Sequence, residues 1–298
     1  MKYYLSAILS VTIWGTFALV LKPLSAYMAW DILIHRVIFA TICIIFISFL
    51  FRRKPFLASI HYLQALAKNE RKKLLLNMFL SAVVLGFNWF SFIYVMNEVS
   101  VSATSLAYMI CPILTTVLAS IFLREKLNKG QWFAVFLSVI SCAILAYGHF
   151  MDLIYSMIVA LSYAVYLILQ KNTFQLDKFF TLTVHIVVST ILLLPVLTII
   201  DTSVPKTNTF YGLIAIIAVV YTIIPLFLNL FALKKLDSSV VGTFLYLNPI
   251  ISFLLAILYY KEPITTERII AFGIIFIAVL IFNVAHFWKR KEDLKSVV

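Results

Sequence analysis

Most of this chain is divided into apolar stretches of about twenty residues, and that division limits what it can fold into. An α-helix rises 1.5 Å per residue, so roughly 20 apolar residues cross the hydrocarbon core of a bilayer. Ten such stretches can be marked, at 3–21, 30–51, 74–97, 101–123, 131–149, 153–170, 178–200, 210–233, 239–260 and 269–288. In lipid the backbone must satisfy its own polar groups, which for segments of this length means helix. The chain is 63% hydrophobic and 12% charged, whereas soluble domains are roughly half apolar and a quarter charged. The predicted fold class is all-α and integral to a membrane, with ten spanning helices.

The net charge of +12 does not point to nucleic acid, because the basic residues lie in short runs between apolar stretches. With the N-terminus cytoplasmic, nineteen Lys and Arg residues fall inside, seven of them between the second and third segments. Four fall outside: Lys22, Lys206, Lys261 and Arg268. Arg36 lies within a segment. That imbalance follows the positive-inside rule and predicts both termini in the cytoplasm. Tyr3–Leu21 lacks a small-residue cleavage site and is read as the first span rather than a signal peptide. The longest connection, Arg52–Lys73, suits either an interfacial helix or a solvated linker.

The chain also repeats itself. A shift of 137 lays residues 101–129 on 238–266, bringing Pro112 onto Pro249 and Glu125 onto Glu262. A shift of 149 brings Trp14 onto Tyr163 and Lys22 onto Lys171, and 150 brings His35 onto His185. Five spans per copy, an odd number, force the second copy to enter from the opposite side, so the halves are inverted. The predicted organisation is a first repeat at 1–149, a second at 150–288, and a basic cytoplasmic tail at 289–298. Inverted repeats with interrupted helices are a common build of secondary transporters.

Ionisable groups at membrane depth are the first functional candidates, because burying one there costs about 2.5–3.5 kcal/mol. Asp31 and His35 share one helix face, and Arg36 lies about a turn and a half into its segment. Facing a cavity is the favoured reading for Arg36, against snorkelling to the outer headgroups. His185 is the counterpart of His35. Trp14 and Trp89 sit at mid-depth, where an indole stacks on a planar substrate or simply packs, and Asn88 offers both donor and acceptor. Pro112, Pro225 and Pro249 each free a carbonyl one turn earlier and are candidate hinges, with Tyr108, Thr222 and Tyr246 close to these breaks. Glu125 and Glu262 are expected to brace the turn into the following helix rather than bind substrate.

Cys43, Cys111 and Cys142 lie in apolar segments without a CxxC pair, so neither a disulfide framework nor a metal site is expected. No GxSxG, HExxH, Walker or dinucleotide-binding motif occurs, so no enzyme activity and no cofactor are expected.

Asp31-Ile32-Leu33 with His35-Arg36-Val37, Asn88-Trp89, Ser105-Leu106 with Tyr108 and Pro112, Glu125, Gln131-Trp132, Thr222 with Pro225-Leu226, and Gly242 with Tyr246 and Pro249 resemble the RarD branch of the EamA family, in the drug/metabolite transporter superfamily. The resemblance implies ten helices in two inverted EamA repeats, a central cavity, and alternating access for small organic solutes. Three positions depart from that pattern: Ser189 where Glu is usual, Cys111 where Asn is usual, and Arg124 where Gly is common. Without a carboxylate at 189, transport is expected to depend little on a proton gradient, His35 and His185 being the remaining titratable candidates.

The expected protein is therefore a multi-pass secondary transporter of the bacterial cell membrane, a monomer or homodimer. Its partners are a small-molecule substrate and the lipid bilayer, with no nucleic acid. Arg36 would attract an anionic group, and Trp14 and Trp89 would hold an apolar or planar part. The alternative is a passive facilitator or channel.

Overall fold

The first apolar stretch folds as α1 (Lys2–Gly15) and α2 (Ala18–Leu21), closed by a 3-10 turn at Lys22–Leu24. There follow α3 (Ala29–Leu50), α4 (Arg53–Ala65), α5 (Lys68–Tyr94), α6 (Val101–Phe122), α7 (Lys129–Ala146), α8 (Phe150–Lys171) and α9 (Lys178–Leu193). Next come α10 (Asn208–Ala218) and α11 (Ile224–Leu233), joined by a π-helical turn at Val219–Ile223, then α12 (Ser238–Phe244), α13 (Leu247–Leu258) and α14 (Thr266–Lys295). This computed structural model describes residues 1–24, 26–95, 99, 101–147, 150–171, 175–195, 207–259, 261 and 265–295. Among the described residues there are helices and no strands.

Among the described residues, seven helical segments are long and apolar enough to cross a membrane: Lys2–Leu24, Trp30–Leu50, Lys68–Tyr94, Lys129–Ala146, Phe150–Lys171, Asn208–Leu233 and Ile269–His286. Leu106–Phe122 and Lys178–Leu193 are shorter apolar helices. The surface is apolar where that of a water-soluble fold is polar, and small polar residues join the apolar interior. Phe46, Phe49, Phe136, Phe276 and Leu280 are exposed, while Ser10, Ser81, Ser141, Thr115 and Thr181 are fully buried. Apolar side chains gain nothing by leaving lipid, so the helices associate through small residues and interhelical hydrogen bonds. A Cβ placed on Gly242 would stand 2.7 Å from Thr115 Cγ2, and one on Gly15 2.7 Å from Ile251 Cβ. Both glycines therefore set a close helix approach.

The helix interruptions have distinct causes. Pro249 has no N–H to give the carbonyl of Leu245, which instead accepts from Asn248 N–H at 3.1 Å, and the chain turns between α12 and α13. Pro225 leaves the carbonyl of Tyr221 without its helical donor, and the Trp14 indole N–H fills the gap at 3.0 Å. Ser10 and Ser6 continue that seam, donating to the carbonyls of Pro225 (2.8 Å) and Leu228 (2.9 Å). Helix α6, by contrast, runs through Pro112 without interruption.

Of the two alternatives for the long connection, a helix forms. Helix α4 packs Leu63 with Met78, Leu176 and Phe180, and Tyr62 Oη donates to Gln175 Oε1 at 2.5 Å. Glu125 does not brace the adjacent turn. Its carboxylate instead accepts from Ser238 N–H (2.7 Å), Ser239 N–H (3.1 Å) and Ser239 Oγ (2.7 Å), tying the end of α6 to the start of α12. The turn into α7 is held by a capping box: Asn128 Oδ1 accepts from Gln131 N–H, and Gln131 Oε1 accepts from Asn128 N–H. Glu262 lies outside the described residues.

Candidate functional site

Helices α1, α3, α5, α6, α8 and α11, with the π turn, surround a cavity of about 80 Å³. Six of the nine candidate binding residues line it: Trp14, Arg36, Asn88, Trp89, Tyr108 and Thr222. They come from five separate stretches of chain, and each is placed by its own local packing. The sequence also left out several wall residues, among them Phe17, Phe92, Cys111 and Tyr221. Tyr163 was legible only as the repeat mate of Trp14, and the two rings meet edge-on at 5.9 Å.

Arg36 gives the cavity its fixed charge. It stands two turns into α3, about 10 Å along the axis, with its guanidinium 5.3 Å from the Trp89 ring centroid. Its Nε is buried and has no hydrogen-bond partner. The ion pair found among the described residues is Arg52–Asp177, at 2.8 Å and away from this cavity. Cation–π contact stabilises a desolvated guanidinium by about 2 kcal/mol, short of what a carboxylate or phosphate partner supplies. The arrangement thus leaves a cation ready for an anion.

The polar neighbours of Arg36 are more restricted than their residue types suggest. Asn88 gives its amide N–H groups to Val159 O (3.0 Å) and Ser162 Oγ (2.9 Å). Thr222 donates its hydroxyl proton to Ile217 O at 3.0 Å, a bond that spans the π turn. The Trp14 N–H is engaged by Tyr221 O. No Asp or Glu lines the cavity among the described residues. Cys111 takes the place where the resemblance has Asn, and its thiol lies 3.8 Å from Thr115 Oγ1.

Three candidates stand elsewhere. His35 Nδ1–H donates to the Asp31 carbonyl at 2.7 Å, and its ring packs edge-on against Phe210 and Tyr211. His185 is fully buried beside Tyr166, 3.4 Å from its hydroxyl. Tyr246 lines a second space of about 10 Å³ with Pro112, Ser138 and Thr243, room for about one water. Of the prolines, Pro225 lies two residues past the end of the π turn, whose Tyr221 and Thr222 line the cavity, whereas Pro249 lies beyond the α12–α13 turn. Asp31 is buried with neither carboxylate oxygen hydrogen-bonded. Ser189, where a coupling Glu was expected by resemblance, donates to Ala82 O at 2.7 Å. No cluster of His, Cys, Asp or Glu suited to a metal occurs among the described residues.

Comparison with known proteins places this geometry. The model of the EamA-like transporter family matches residues 1–147 and again 151–284. An uncharacterized transporter of Vibrio cholerae is 33% identical over 288 residues, covering 95% of this chain and 92% of that protein. The uncharacterized transporter YojE of Bacillus subtilis is 30% identical, covering 94% and 93%. Protein RarD of Escherichia coli is 28% identical, covering 98% and 97%. A solved crystal structure superposes with a TM-score of 0.73 over 94% of this chain and 95% of that one, at 12% identity, which is a likeness of fold. The chain is a membrane protein that belongs to the EamA-like transporter family, with RarD proteins among its relatives.

Proposed function

We propose that this protein is a secondary transporter that carries a small organic anion through the cavity at Arg36 by alternating access. The observation that carries the reading is an unpaired guanidinium on an indole face, inside a cavity walled by Trp14, Tyr108 and Tyr163. Arg36 takes the carboxylate of the solute, and the aromatic walls take its apolar or planar part. A cavity of about 150 Å³ accommodates a benzene, so the present 80 Å³ must widen before a metabolite enters. The π turn beside Pro225 supplies a place for that movement, since helices bend where their hydrogen-bond ladder is already broken.

Ten spans in two inverted repeats, with both termini cytoplasmic, are part of the same proposal. To the seven long segments it adds α6, α9 and the α12–α13 pair. Support comes from the family model matching twice and from the backbone itself. Arg124 and Lys261, 137 residues apart, carry the left-handed φ values of 55° and 56°. Residues 149 apart also touch: Trp14 meets Tyr163, and Thr41 Oγ1 lies 2.8 Å from Thr190 Oγ1. Mates in contact are what a two-fold axis through the bundle produces. The absence of a carboxylate among the described lining residues fits transport that leans little on a proton gradient. The bacterial cell membrane is the expected location, following the relatives.

The test is uptake into proteoliposomes of a panel of aromatic and aliphatic carboxylates, with and without a pH gradient. Wild-type protein should transport at least one, Arg36→Gln should not, and Arg36→Lys should recover little because it lacks the planar fork. Undiminished transport by well-expressed Arg36→Gln rejects the proposal.

A further inference from the structure

Asn88 carries an inference about which anions the cavity selects, and it rests on the reading of Arg36 as the anion site. An asparagine amide usually offers both donors and an acceptor. Here Val159 O is a carbonyl and can only accept, so the nitrogen must face it. Ser162 Oγ donates its own proton to the same carbonyl at 2.8 Å, so toward Asn88 it too can only accept. Both amide hydrogens are therefore held by α8, and the orientation of the amide is fixed by chemistry rather than by choice. What Asn88 leaves for the cavity is its Oδ1, which takes no hydrogen bond from any described residue. Thr222 is restricted in the same way, with its proton on Ile217 O.

We infer that Asn88 is a specificity-determining residue that presents an acceptor only, and that the site selects organic monoanions carrying a second hydrogen-bond donor. Arg36 supplies donors to the anionic end. Asn88 Oδ1, with the Thr222 oxygen, receives an O–H or N–H from the rest of the solute. An analogue without that donor leaves a desolvated carbonyl facing apolar atoms, and sites built to hydrogen-bond a group reject ligands that lack it far more strongly than sites that only fill space.

Binding to the full-length protein in lipid nanodiscs, measured by calorimetry, tests this with three probes of one skeleton: 3-phenyllactate, its O-methyl ether and 3-phenylpropanoate. The first has a hydroxyl donor; the ether keeps only an acceptor, and the third has neither. We expect 3-phenyllactate to bind at least tenfold tighter than the other two. In Asn88→Leu the gap should fall below twofold, because 3-phenyllactate loses its acceptor and 3-phenylpropanoate no longer leaves a carbonyl unpaired. Equal binding of the three probes to wild type, or a gap that survives Asn88→Leu, overturns the inference. Should Asn88→Leu fail to fold, the wild-type comparison still decides. Arg36→Gln separates the two readings: undiminished binding of all three probes rejects the anion site whatever the gap, and no binding of any probe to wild type rejects both.

Discussion

Removing the Glu125 carboxylate should loosen the contact between the end of α6 and the start of α12 measurably. The carboxylate accepts three hydrogen bonds, of 2.7, 3.1 and 2.7 Å, from two adjacent residues. Bonds to a charged group contribute about 1.5–3 kcal/mol each when counted singly. They share one side chain here and are partly exposed, so they do not add. We expect about 2–4 kcal/mol for Glu125→Ala and about half that for Glu125→Gln, which keeps one accepting oxygen. For a chain of this size that corresponds to a fall in thermal midpoint of about 3–6 °C for the alanine variant. The assay is the temperature at which half the purified protein still elutes as a single species from size exclusion in detergent. Ser239→Ala removes one bond of the three, and a double-mutant cycle with Glu125→Ala should return a coupling of about 1 kcal/mol. The reasoning fails if Glu125→Ala and Glu125→Gln both melt with wild type, or if Ser239→Ala costs as much as Glu125→Ala.

At Arg124, φ is 55°, a conformation that costs a residue with a Cβ about 1–2 kcal/mol relative to glycine. Less the extra unfolded-state freedom of glycine, Arg124→Gly should stabilise by about 1 kcal/mol in the same melting assay, and Arg124→Ala should not. Gly242→Ala should destabilise by about 1–3 kcal/mol, because the new Cβ meets Thr115 Cγ2 at 2.7 Å and Thr115 Cβ at 2.8 Å; Thr115→Ala, which keeps that Cβ, should restore little of the loss. Single cysteines at Asn128 and Thr265, in a background without Cys43, Cys111 and Cys142, should react with impermeant thiol reagents from opposite sides of the membrane. Reaction from the same side removes the inverted-repeat proposal.

Much of this architecture could be read from the residues alone, and the reasons for the gaps are physical. Segment length set by the bilayer marked the apolar helices, and the offset of 137 aligns Arg124 with Lys261, the two residues that share a positive φ. Positive φ at Arg124 is a conformation that favours the glycine the resemblance implies at that position. What escaped the sequence was the direction of side-chain hydrogen bonds. Trp14 was read for its ring, yet its N–H closes the carbonyl that Pro225 vacates. Glu125 was assigned to the nearest turn because spacing reports local contacts, while its partners lie 113 and 114 residues away. Trp14, Asn88 and Trp89 were singled out for their depth, Arg36 as a charge within an apolar segment, and Tyr108 and Thr222 for their nearness to prolines, and all six line the cavity. His35 and His185 were chosen as repeat mates within apolar segments and pack elsewhere, since position along a helix does not say which face a residue occupies.

Counterflow tests the central claim most directly. Proteoliposomes preloaded with unlabelled 3-phenyllactate are diluted into a trace of the labelled compound, and internal label is followed with time. A carrier that exposes one Arg36 site to each side in turn accumulates label transiently above the outside concentration, and Arg36→Gln abolishes that overshoot. A rise to equilibrium with no overshoot in wild type, or an overshoot that survives in Arg36→Gln, contradicts the account.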